Sequence, residues 1–182
     1  MTANIIHDQP VNNDKAIAID YELLYRQYSK TLFNASYRIV NNRADAEDIL
    51  QDAFTHAFKK MHTLEDSRSF GAWIKKIVIN KSINKITRSR FKFIDINVSN
   101  LYSIADEELY PEEDIEFKVD EIKKAIQLLP DGYRTILCLR LMENYKHDEI
   151  AEMLKISPVT ARTQYSRAKR KLLEILQHKN VS

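Results

Sequence analysis

In the stretch "RADAEDILQDAF", Asp45, Asp48 and Asp52 recur at i, i+3 and i+7, with Gln51 beside them. On a helix this spacing gathers three carboxylates opposite the apolar Ala46, Ile49, Leu50, Ala53 and Phe54, and no lysine at i+4 offsets them. Such a face is either simply solvated or a docking surface for a basic partner. Further along, Trp73, Lys76, Asn80, Lys81, Asn84, Lys85 and Arg88 share one helical run that contains no acid. Lysines neutralise phosphates, amides hydrogen-bond to bases and an indole stacks on them, so this set suits single-stranded nucleic acid. The competing reading buries Trp73 in the core and leaves the asparagines to cap or bridge helices.

A third set lies near the C-terminus in "SPVTARTQYSRAKRKL". Ser157 can cap a helix that starts at Pro158. Thr160, Arg162, Thr163 and Gln164 occupy its first turns, and Arg167 and Lys171 follow on the polar side. A recognition helix needs that order, because its first turns enter the major groove and later bases meet phosphates. A basic solvated face is the plainer reading of the charge, but charge alone does not supply the cap or the order of side chains.

Each set is suited to binding rather than to catalysis. The five histidines are scattered, "HDEIA" lacks the second histidine of a zinc-protease motif, and two glycines cannot build a phosphate loop. Cys138 is the only cysteine, sits in an apolar run without a base partner, and rules out a disulfide framework. No metal, cofactor or catalytic residue is therefore expected.

The elements that must hold these sets are helical. Leu24, Tyr28, Leu32, Ala35 and Ile39 form one stripe, and Ala46 to Met61 carry a second. A third helix runs from about Phe70 to Thr87. Periodicity resumes at Ile115 and stops at Pro130-Asp131-Gly132, and the runs Tyr133–Glu143 and His147–Leu154 precede the helix from Pro158. The net charge of +2 hides segregation: seven bases and no acid from Lys75 to Lys92, then seven acids and no base from Leu101 to Phe117, then seven bases against Glu174 from Lys155 to Lys179. The expected organisation is all-α: a flexible arm (1–19), a helical bundle (20–92), an acidic linker (93–114) and a helix-turn-helix domain (115–178). No apolar stretch approaches bilayer length and the N-terminus has no signal pattern, so a cytoplasmic location is expected.

"HDEIAEMLKISPVTARTQYSRAKRKL" resembles the second DNA-binding segment of sigma factors of the extracytoplasmic-function type, in the sigma-70 family. "YRQYSKTLFNASYRIVNNRADAEDILQDAFTHAF" followed by "FGAWIKKIVINKSINKITR" is similar to their promoter-melting domain. The ordered matches cover roughly residues 21–92 and 115–176. By this resemblance the first set docks on the clamp helices of the RNA polymerase β′ subunit. The second, with the loop His62 to Ser69, holds the melted −10 element, and the third reads the −35 duplex. Core polymerase, including its β flap, promoter DNA and an anti-sigma factor are the partners implied, and the acidic linker resembles a nucleic-acid mimic as much as a spacer. Lys146, Lys155 and Val159 depart from the family, which favours a Ser or Thr cap and two turn glycines there. A lysine at positive φ costs about 1 kcal/mol, so a remodelled turn is expected. A helix-turn-helix regulator that never enters polymerase is the alternative; it leaves the first two sets without a use.

Overall fold

The computed structural model describes residues 20–64, 66–89 and 119–180. Among them are α1 (Tyr21–Val40), α2 (Arg43–Lys60), α3 (Phe70–Ser89), α4 (Val119–Gln127), α5 (Asp131–Leu141), α6 (His147–Leu154) and α7 (Pro158–Asn180). The described residues contain no strand, and none of their helices is long and apolar enough to cross a membrane. The expected arm (1–19) and acidic linker (93–114) lie outside the described residues.

Local chemistry starts and stops these helices where the sequence indicates. The Asp20 carboxylate accepts from the Leu23 N–H at 2.9 Å and the Asn42 side chain from the Asp45 N–H at 3.1 Å. Ser157 Oγ accepts from the Thr160 N–H at 3.0 Å and opens α7; each such cap stabilises its helix by about 1 kcal/mol. Lys146 has no acceptor in its side chain, so Glu149 supplies the contact at the start of α6 and accepts from the Lys146 N–H at 2.7 Å. Lys155 ends α6 at φ 56° and ψ 44°, the left-handed conformation that a glycine would adopt. The turn is therefore not remodelled. It keeps its geometry and the lysine bears the strain.

In the first unit, α1, α2 and α3 pack around Leu32, Ile39, Ile49, Leu50, Phe54, Phe70, Ile74 and Val78. Aromatic rings link the three helices: Tyr25 to Phe54 at 4.8 Å, Tyr28 to Phe70 at 5.6 Å, and Phe58 to Phe70 at 6.4 Å. A Cβ on Gly71 would stand 2.7 Å from the Tyr28 ring, so glycine is what lets α3 approach α1 there. Ser82 Oγ donates to the Val78 carbonyl at 2.8 Å, so in the buried 2.9 Å pair with Ser36 the proton comes from Ser36. In the second unit α4, α5 and α7 enclose Ile126, Leu129, Leu137, Cys138 and Ala168.

The two units do not stand apart. α5 packs against α1 and α6 against α3, and the first core runs on into Ile136, Leu139, Ile150, Ala151 and Leu154. Polar contacts follow the same seam. The last turn of a helix leaves carbonyls without partners, and two of those of α1 are met from α5. Arg134, 2 % exposed, reaches the Ile39 carbonyl with Nε and Nη2 at 3.3 Å each, and Cys138 Sγ lies 3.7 Å from the Arg38 carbonyl. Asn41 Nδ2 donates to the Gln127 carbonyl at 3.1 Å. Across the same seam, Arg38 and Lys75 both contact Glu143.

The strained cap gives a test of the turn. Lys155→Gly should raise the stability of the folded chain by about 0.5–1 kcal/mol, seen as a higher urea midpoint with an unchanged slope. A lower midpoint would mean that Lys155 makes contacts outweighing its backbone strain.

Candidate nucleic-acid and partner interface

The carboxylate set is held by α2, whose buried side carries Ala46, Ile49, Leu50, Ala53 and Phe54. That stripe fixes its rotation, so Asp48, Gln51 and Asp52 face solvent and Asp45 is half-buried. Offsetting charge is supplied by α3 rather than by α2 itself: Lys85 Nζ lies 2.7 Å from Asp45 and Lys81 Nζ 3.6 Å from Asp52. The hydrogen bond to Asp45, and then its charge, hold the Lys85 ammonium above its ordinary value. Two sets that seemed separate in sequence thus border each other and share two ion pairs.

On α3, Lys76, Asn80, Asn84, Lys85 and Arg88 are exposed. Isoleucine, valine and serine on the opposite side (Ile74, Val78, Ile79, Ser82, Ile83, Ile86) hold the helix against the core, which leaves the asparagines outward and free of any bridging duty. Trp73 is half-buried at the edge of the core and meets the buried Phe70 ring at 6.1 Å, nearly edge-on. Its partial burial matches the competing reading in part, with the ring anchored on Phe70.

The duplex set lies along α7. Arg162 is exposed and reaches Asp148 at 3.5 Å, while Lys171 is exposed and paired with Glu174 at 2.9 Å. Ser157 and Thr160 are engaged in the cap, their hydroxyls 2.8 Å apart, and Thr163 Oγ1 donates to the Val159 carbonyl at 2.9 Å. Arg167 is half-buried. Gln164 corrects the sequence expectation: it is 4 % exposed, turned into the unit between Ala161 and Ala168 on the buried side of α7, and cannot meet a base edge from there. The helical wheel placed it on the polar side, but α7 is packed by α4, α5 and α6, and its buried side extends to Gln164.

No periodicity or motif marks the residues at the seam, Arg38, Arg134 and Glu143. No group of histidine, cysteine, aspartate or glutamate among the described residues could hold a metal. Burial pushes the Cys138 thiol up to about 12, against the opposing charges of Arg38 and Arg134, which disfavours the thiolate form.

Comparison with known proteins gives concordant matches for both units. Residues 24–91 match the family model for sigma-70 region 2 and residues 120–172 that for sigma-70 region 4. The chain is 29% identical over 154 residues to the ECF RNA polymerase sigma factor SigW of Bacillus subtilis, covering 80% of this chain and 82% of SigW. It is 26% identical over 166 residues to the RNA polymerase sigma-H factor of Pseudomonas aeruginosa, covering 86% of each. In fold it resembles the sigma factor RpoE, solved with the anti-sigma factor NepR from Bartonella quintana, with a TM-score of 0.54 at 18% identity over 87% of this chain and 97% of that one. CnrH, solved with the cytosolic domain of CnrY, gives a TM-score of 0.50 at 20% identity, covering 87% and 88%.

One titrating group sits within the second unit. His147 opens α6 with its ring 5.3 Å from Tyr165 and its Nε2 buried without a hydrogen-bond partner. Burial holds the imidazole below its ordinary value of 6.5, with Arg140 and Arg162 adding to the effect and Asp148 opposing it. Between that lowered value and 6.5 the unfolded chain binds more protons than the folded one, so stability falls as pH falls through this window. Acidification from about pH 7.5 to about pH 5.5 should lower the melting temperature, and His147→Phe should remove part of that loss. An identical pH slope in the variant would show that His147 carries none of it.

Proposed function

The chain belongs to the sigma-70 family of RNA polymerase sigma factors, and from that premise we propose how its surfaces divide the work of promoter recognition. The observation that carries the reading is order: a region 2 match on the first unit, then a region 4 match on the second, each on the unit that bears the corresponding charged set. Sigma factors are regulatory subunits, so the polymerase supplies the chemistry and this chain supplies the address.

Asp45, Asp48, Gln51 and Asp52 dock on the clamp helices of the β′ subunit of core polymerase. Their support is an exposed acidic face on a helix that its buried stripe cannot let rotate. The adjoining face of α3 takes the melted −10 strand. Lys76, Lys81, Lys85 and Arg88 neutralise phosphates there, Asn80 and Asn84 hydrogen-bond to bases, and the anchored edge of Trp73 offers a stacking surface. Thr160, Arg162, Thr163, Arg167 and Lys171 on α7 meet the −35 duplex, and the unit that carries them meets the β flap. Ser157 acts mainly through the cap that orients α7. The fold neighbours RpoE and CnrH were solved with NepR and with the cytosolic domain of CnrY, and an anti-sigma factor is a partner of the same kind for this chain.

Adding purified protein to core polymerase should produce transcription that depends on the promoter. Duplex binding without association with core would sink this reading in favour of a free-standing regulator. Reversing two charges of the docking face, Asp48→Arg with Asp52→Arg, should weaken core binding on the order of 100-fold while helical content is retained. Unchanged core affinity would remove the docking assignment. Arg167→Ala should weaken −35 binding and lower the salt slope of log K by about 1 if the guanidinium meets phosphate. An unchanged slope with altered base preference would make it a base reader instead.

A further inference from the structure

The first two turns of α7 hold less free hydrogen-bonding chemistry than their composition offers. Ser157 Oγ accepts from the Thr160 N–H at 3.0 Å and lies 2.8 Å from Thr160 Oγ1, so both hydroxyls serve the start of the helix. Thr163 Oγ1 gives its proton to the Val159 carbonyl at 2.9 Å, and Gln164 is buried. Arg162 is left as the strong donor of these turns, exposed and 3.5 Å from Asp148.

Beside it stands an apolar group. Val159 is 55 % exposed, more open to solvent than any other large hydrophobic side chain on α7 among the described residues. Ala161, Gln164 and Ala168 mark the buried side of the helix. At 3.6 residues per turn Val159 lies about 160° around the axis from Ala161, nearly opposite that side. Arg162 and Arg170, both exposed, share the outward side with it. One exposed aliphatic residue is ordinary on most surfaces, but this one occupies the turn that enters the major groove, at a position where the family favours glycine. Of the four bases, thymine alone presents a methyl group there, and an apolar side chain reads it without donor or acceptor.

We infer that Val159 is a specificity-determining residue that reads a thymine methyl in the −35 duplex, close to the base pair met by Arg162. The assignment rests on the reading of α7 as the duplex-binding helix. Val159 and Arg162 are three residues apart, about 4.5 Å along the helix, and base pairs are stacked about 3.4 Å apart. The two contacts therefore fall on base pairs no more than about two steps apart.

The test uses holoenzyme formed from core polymerase and the full chain, on promoter duplexes selected from a pool randomised across the −35 element. Each thymine of the selected element is then replaced singly by deoxyuridine, which removes the methyl and leaves every base-pairing atom in place. At fixed salt, wild type should lose about two- to fourfold in affinity at one thymine, the effect of returning one methyl group to water. Val159→Gly should bind the thymine and uracil duplexes alike at that position, and a fresh selection with it should no longer favour thymine there. Arg162→Ala should relax the preference at a base pair within about two steps, while the thymine-to-uracil ratio persists. If the glycine variant loses helical content, Val159→Ser carries the same readout, since it keeps a side chain at the helix start and removes the apolar surface. Wild type indifferent to every deoxyuridine, or a ratio that survives in the folded variants, would overturn the methyl contact while selective binding upholds the duplex reading. Binding indifferent to the −35 sequence altogether would overturn the duplex assignment of α7, and the methyl contact with it.

Discussion

A helix that ends inside a protein presents carbonyls that something else must satisfy, and the last turn of α1 makes that demand on residues about a hundred positions away. Asn41, in the left-handed conformation, returns its own N–H to the Tyr37 carbonyl at 2.8 Å. The Ile39 carbonyl goes to Arg134 and that of Arg38 lies against Cys138. A guanidinium is well suited to this position, since its charge opposes the negative end of the helix dipole while its fork satisfies several acceptors at once. Arg134 also donates to the Leu129 carbonyl and pairs with Asp131, so a single side chain ties the end of α1 to the turn between α4 and α5. The position of the second unit on the first follows from this point, and Glu143 and the shared apolar seam extend it.

Much of the architecture was legible in the chain because its signals are local. Stripes at helical spacing located α1, α2 and α3, and Ser157-Pro158 located the start of α7. Resemblance to a family then suggested the roles proposed for those faces. Less was legible where the answer depends on what packs from outside the helix. Gln164 is on the polar side of a wheel and buried in space because other helices pack around α7. Trp73 divides between core and surface because Phe70 holds one edge of its ring. Glu143 and Arg134 carried no pattern at all, since a contact between residues a hundred apart leaves no period in the sequence. Lys155 is the converse case: the strain was readable, and the backbone accepted it instead of changing course.

The ion pairs between α2 and α3 have one more consequence. Asp45 and Asp52 on one helix hold Lys85 and Lys81 on the other, so neither charged face is wholly free while the other is unoccupied. A cationic surface that takes the carboxylates releases the ammonium groups toward phosphate, and a polyanion that takes the ammonium groups releases the carboxylates in turn. Coupling between two sites is reciprocal by thermodynamic necessity. The two faces therefore communicate through a few ångströms of shared charge, and a partner on one favours a partner on the other.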